Sequence, residues 1–129
     1  MRIASFILPL LDNDGASLAT VHDTVKADLI QAFGGFTASM VQGGWRDEDT
    51  GVIYSDESVR YEVAADWAAN ARLERRFENL CARFCREARQ LAVFAVLPYG
   101  EAVLLSPKDA AEREDAPPRV AGLDAYRTA

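Results

Sequence analysis

Two apolar stripes at helical spacing, each fenced by segments of a different period, constrain this chain more than any other feature. Leu18, Val21, Val25, Leu29 and Phe33 recur in steps of three and four, which lines one face of a helix over 17–33. Gly34-Gly35 follows, where a residue free to take positive φ stops a helix. Leu73, Phe77, Leu80, Phe84 and Ala88, with Cys81 on the flank, predict a second helix from about Trp67 to Ala88. Between them, Val59, Tyr61 and Val63 alternate with Arg60, Glu62 and Ala64, the period-two pattern of a half-buried strand.

The remaining segments complete the order. Residues 2–9 read as a buried first strand, and Phe36 to Val41 as a second, with Gln42-Gly43-Gly44 bending the chain after it. Val52 to Tyr54 is extended again, so a hairpin is expected around the polar turn Arg46 to Gly51. Leu91 to Leu97 is almost wholly apolar, the mark of a strand that is central or covered on both faces, and Ala102 to Leu105 is a candidate short edge strand. The sequence therefore predicts an α+β fold on the ferredoxin-like βαββαβ plan, an antiparallel sheet with two helices on one face. The domain is expected over 1–105, followed by a charged Pro- and Ala-containing tail over 106–129.

Composition excludes several classes. Half of the 129 residues are hydrophobic, too many for intrinsic disorder. A domain of this size buries roughly two-thirds of the surface its unfolded chain exposes, so a core needs neither disulfide nor metal. The charge is −6, from 20 acids against 14 bases, of which twelve are arginine. That balance argues against general nucleic-acid affinity, which rests on neutralising phosphates. The apolar start Ile3 to Leu11 is too short to span a bilayer and lacks a small-residue cleavage site. A cytoplasmic protein without membrane association is expected.

Candidate chemistry is sparse. His22, the single histidine, projects beside the core stripe, a place for a hydrogen-bonded boundary residue more than for a general base. Cys81 and Cys85 have neither redox nor zinc spacing and read as reduced packing residues. Asp47, Glu48 and Asp49, like Asp12-x-Asp14-Gly15, suit a turn, in which Asp caps its own backbone. No metal and no cofactor is expected.

Two surfaces stand out. Arg72, Arg75, Arg76, Arg83 and Arg86 share one arc of the second helix. Segment 72–89 holds six arginines and three glutamates, whereas 46–66 holds two arginines and seven acids. The molecule is polarised in charge, either as an anion-binding or acidic-partner surface or as a solvated face. Gly43-Gly44-Trp45-Arg46 is the most site-like stretch, with Glu57, Arg60 and Tyr61 across the predicted hairpin. Trp45, Arg46, Glu57, Arg60, Tyr61 and His22 are therefore the ligand-binding candidates. The competing reading of Trp45 is a cover over the sheet end.

Phe33-Gly34-Gly35-Phe36-Thr37, Gly44-Trp45-Arg46-Asp47, Gly51 and Asp56-Glu57-Ser58, with Leu8-Pro9-Leu10, Asn13 and Gly15 before them, form a recognisable pattern. It resembles small uncharacterised domain-of-unknown-function proteins of bacteria, plasmids and phages, over about residues 1–100. The resemblance implies a ferredoxin-like fold and carries no established activity, so no catalytic residue transfers.

These readings favour a non-enzymatic binding or regulatory module, of phage or mobile-element origin, such as an inhibitor of a host nucleic-acid-binding system. A homodimer through the open sheet face or edge is expected, with a protein partner in view. The alternative is a small cofactor-free enzyme of the dimeric α+β barrel type, with a pocket between helices and sheet. Whether the protein is an enzyme stays open on sequence.

Overall fold

A computed structural model of the chain describes residues 1–108, so the expected tail lies, beyond Lys108, outside the described residues. The chain forms β1 (Arg2–Pro9), α1 (Ala19–Phe33), β2 (Thr37–Arg46), β3 (Ile53–Ala65), α2 (Arg72–Glu87), β4 (Val93–Val96) and β5 (Ala102–Leu105). The sheet order is β2-β3-β1-β4-β5, antiparallel throughout. This is the expected α+β class. The fifth strand, added beside β4, sets it apart from a plain four-stranded ferredoxin-like sheet.

Period-two alternation decides which residues meet the helices. Ala4, Phe6 and Leu8 of β1, Val59, Tyr61 and Val63 of β3, and Val93 and Ala95 of β4 point into one core. Leu18 just before α1 and Val25 and Leu29 on it come down from one side, and Phe77, Leu80, Cys81 and Phe84 from α2. Phe6 is the centre of an aromatic cluster, its ring centroid 5.2 Å from Tyr61, 5.7 Å from Phe84 and 5.9 Å from Phe77. Such pairs add roughly 0.5–1.5 kcal/mol each beyond the area they bury.

α1 ends as its sequence indicates. Gly34 takes φ 87°, and its N–H donates to the Ile30 carbonyl at 2.8 Å. Asp12 Oδ1 accepts from the N–H groups of Asp14 and Ala16, both at 2.9 Å, so the Asp-x-Asp-Gly run is a capped turn into the helix.

Four expectations need correction. The second helix does not run unbroken from Trp67: Trp67–Ala69 is a separate 3₁₀ turn. Trp67 Nε1 donates to the Arg2 carbonyl at 2.8 Å, pinning that turn to the start of β1. Asn70 Oδ1 then accepts from the Arg72 N–H at 2.9 Å, which starts α2 afresh. The first helix begins two residues later than expected, at Ala19. Gly43 and Gly44 do not bend the chain; neither has positive φ, and β2 pairs straight through them to Arg46↔Ile53. The apolar run 91–97 contributes only Val93–Val96 as strand, central between β1 and β5, yet Phe94 on its open face is half exposed. That strand is covered on one face, not on both.

Candidate functional site

The two helices α1 and α2 do not roof the whole five-stranded sheet. α1 packs against β3, and α2 against β4 and β5, so among the described residues the helix-side face of the edge strand β2 has no helix over it. Ala38 and Met40 on that face are exposed. The result is an open cleft of about 570 Å³ between the flank of α1 and β2. It is lined by Leu10, Leu11 and Ser17 before the helix, and by Ala19, His22, Asp23 and Lys26 on it. Ala38, Ser39, Met40, Val59 and Tyr61 come from the sheet.

The volume is that of an ordinary small-molecule pocket, and the walls are mostly apolar. Charge enters from one side only, as Asp23 and Lys26 on the exposed turns of α1.

His22 and Tyr61 stand together in its wall. His22 Nε2 lies 2.8 Å from the Pro9 carbonyl oxygen, which can only accept, so Nε2 carries a proton. Nδ1, 2.6 Å from the Tyr61 hydroxyl, then accepts from the phenol O–H in the neutral ring. Both ring nitrogens are occupied. His22 is thus a hydrogen-bonded boundary residue that adjoins a cleft, with its ring lone pair taken up by the Tyr61 hydroxyl. Burial, seconded by the negative charge of Asp23, pushes the Tyr61 hydroxyl up to about 12, so it stays protonated across the physiological range.

The other candidates are dispersed. Trp45 and Tyr54 stack at 4.7 Å, both about half exposed, on the face of the hairpin away from the helices. Trp45 covers Tyr54 and not the sheet end, and its place on the hairpin is far from the cleft. Arg46 pairs with Ile53 at the last rung, four residues along the strand from Glu57. Arg60 is exposed on the open face opposite Ser39. Of the hairpin set, only Tyr61 joins His22.

Asp47 Oδ1 accepts from the N–H groups of Asp49 and Thr50, at 2.8 and 3.2 Å, so the acidic run is a capped turn. Among the described residues no group of three or more histidine, cysteine or carboxylate side chains could hold a metal, and no helix is long and apolar enough to cross a membrane. Cys81 and Cys85 are buried and unbridged. Burial pushes the Cys81 thiol well up, helped by the charges of Glu78 and Cys85.

Sequence reasoning missed Leu10, Leu11, Ala38 and Met40 as lining. No local signal marks β2 as the bare strand, since β5 is also an outer strand and α2 packs on it.

No protein-family model matches the chain, and no curated protein matches it. Solved structures do. A phage SAM lyase in complex with S-methyl-5'-thioadenosine matches with a TM-score of 0.56 at 12% identity, over 81% of this chain and 88% of that one. A phage SAM lyase in the apo state matches with a TM-score of 0.55 at 13% identity, over 81% and 87%. At these identities the likeness is one of fold.

Proposed function

We propose that this protein is a small-molecule-binding module whose ligand enters the cleft between α1 and β2, and that the ligand is an adenine nucleoside carrying a sulfur substituent at the 5' carbon. The cleft itself carries the reading: about 570 Å³, with Leu10, Leu11, Ala38, Met40 and Val59 as apolar walls and Asp23 and Lys26 at its charged side. A purine and a thioether suit apolar walls, and a carboxylate such as Asp23 is an apt acceptor for ribose hydroxyls. The ligand class is suggested by the fold neighbour solved with S-methyl-5'-thioadenosine. Phage or mobile-element origin goes with the same likeness.

Binding is the reading because the cleft walls are mostly apolar and the His22 lone pair is taken up by Tyr61. The test is calorimetric titration of the protein with S-methyl-5'-thioadenosine and with SAM, alongside chromatography for thioadenosine product. Saturable binding without turnover is expected, and Met40→Arg, on an exposed position, should abolish it without unfolding the chain. Turnover of SAM would make the protein a cofactor-free enzyme. No binding of either compound would sink the reading.

A second reading, a regulatory module that meets a protein partner or a second copy, draws on the open sheet face. Ile3, Phe94 and Leu104 are each about half exposed or more there. A homodimer over that face would cover them. A native mass spectrum showing monomer alone would count against it.

A further inference from the structure

β2 is an unguarded edge. It is the outer strand of the sheet and is ten residues long, against four in β5 at the other edge. From Thr37 to Trp45 it holds no charged residue and no proline, and its pairing with β3 runs without a bulge. Charges, prolines, bulges and short length are the means by which sheet edges avoid pairing with other chains. Alternation decides which of its backbone groups are open. The Asp47 N–H donates to the Val52 carbonyl at 2.9 Å, in the register of β2 with β3. Odd-numbered residues of β2 therefore bond towards β3, and Ala38, Met40, Gln42, Gly44 and Arg46 turn N–H and C=O outward. Among the described residues nothing bonds those groups, and all five residues are exposed.

The far end of the same hairpin lacks support. β1 pairs with β3 only as far as Ser58, so the rungs from Gly43↔Asp56 to Arg46↔Ile53 have two strands and no third. Two strands alone are marginal in water, and this stretch carries the half-exposed Trp45–Tyr54 stack. A strand that is backed by a sheet of its own would complete it.

We propose that two copies of this chain join β2 to β2, antiparallel about a two-fold axis through Gln42, into one continuous sheet. In this register Ala38 pairs with Arg46 of the second copy, Met40 with Gly44 and Gln42 with Gln42, so all five open residues find partners. A shift either way leaves an end residue without one. The contact is isologous and closed. Residues 43–46 of each copy meet 41–38 of the other, the part of β2 that β3 and β1 back. Trp45 comes to stand beside Ser39 of the second copy, inside the sheet instead of at its edge. An edge without charge meets itself with no like-charge repulsion, which a charged edge would not. The two β3 strands lie three strand spacings apart, roughly 14 Å, so the α1 packed on each, about 10–12 Å wide, has room.

The experiment is light scattering behind size-exclusion chromatography at micromolar concentration, with no ligand present, so it is independent of the cleft. Wild type is expected at twice the chain mass. Gln42→Pro should run at the single-chain mass with unchanged circular dichroism, because the N–H it removes faces away from β3. Gln42→Lys and Gln42→Glu each set like charges side by side on the axis and should weaken the dimer several-fold. Mixing those two should restore it as a heterodimer, which also shows that both are folded and decides the matter if Gln42→Pro does not fold. A monomeric wild type, a dimer that persists in folded Gln42→Pro, or a mixture no more dimeric than its parts would each overturn the proposal. A persisting dimer would point to the open sheet face.

Discussion

The Tyr61 hydroxyl lies 2.6 Å from His22 Nδ1, and the other nitrogen of the same ring lies 2.8 Å from the Pro9 carbonyl oxygen. The pair ties β3 through α1 to the end of β1. Buried polar groups of this kind are tolerable only when each is satisfied. His22→Leu should strand both the phenol and the carbonyl and cost about 1–3 kcal/mol in denaturant unfolding. Adding Tyr61→Phe should recover part of that loss. Strict additivity of the two substitutions would show that the hydrogen bond contributes nothing.

The same tyrosine predicts an alkaline limit. Its ordinary value is 10.0 and burial raises it to about 12, so the folded state holds the proton more tightly than the unfolded state. That contribution is fully present below pH 10 and is lost as pH rises through about 12. Unfolding free energies measured from pH 9 to pH 12 should fall across this window. The fall should be shallower in Tyr61→Phe, and an identical slope in both proteins would contradict the assignment.

Phe6 meets three other rings at the centre of the core and is fully buried. Phe6→Ala should destabilise by about 3–5 kcal/mol, the range for large aromatic truncations. Phe6→Leu should cost less than Phe6→Ala, because it leaves a smaller void. Thermal unfolding of the two variants beside wild type decides this.

Cys81 is buried with its thiol pushed well up, and Cys85 donates to the Gln90 carbonyl at 3.3 Å. Neither should react with a water-soluble thiol reagent at neutral pH until the chain unfolds. Labelling rates should therefore track global unfolding when denaturant is added. Rapid labelling of native protein would reveal local opening of α2.

How much of this was legible beforehand differs by element. The α1 stripe ended where Gly34 takes positive φ, because helix periodicity and its stop signal are both local. The start of α2 was placed too early because no local stop signal separates Trp67 from the stripe that begins at Leu73. What breaks the helix is its indole bond to Arg2, 65 residues away. Gly43-Gly44 carries a turn-like composition, yet pairing with Asp56 and Ser55 holds it in the β2–β3 hairpin. A strand partner settles what composition leaves open.

The site followed the same division. The sequence by itself determined the element order, the two buried helix faces, the alternation of β3 and the unequal distribution of charge, since each rests on periodicity or counting within a short window. Only the tertiary structure decided that Tyr61 closes on His22, that Trp45 stacks on Tyr54 on the face away from the helices, and that neither α1 nor α2 roofs β2. Those facts depend on which strands become neighbours and how far two helices reach across five of them, and no short window of sequence contains that geometry.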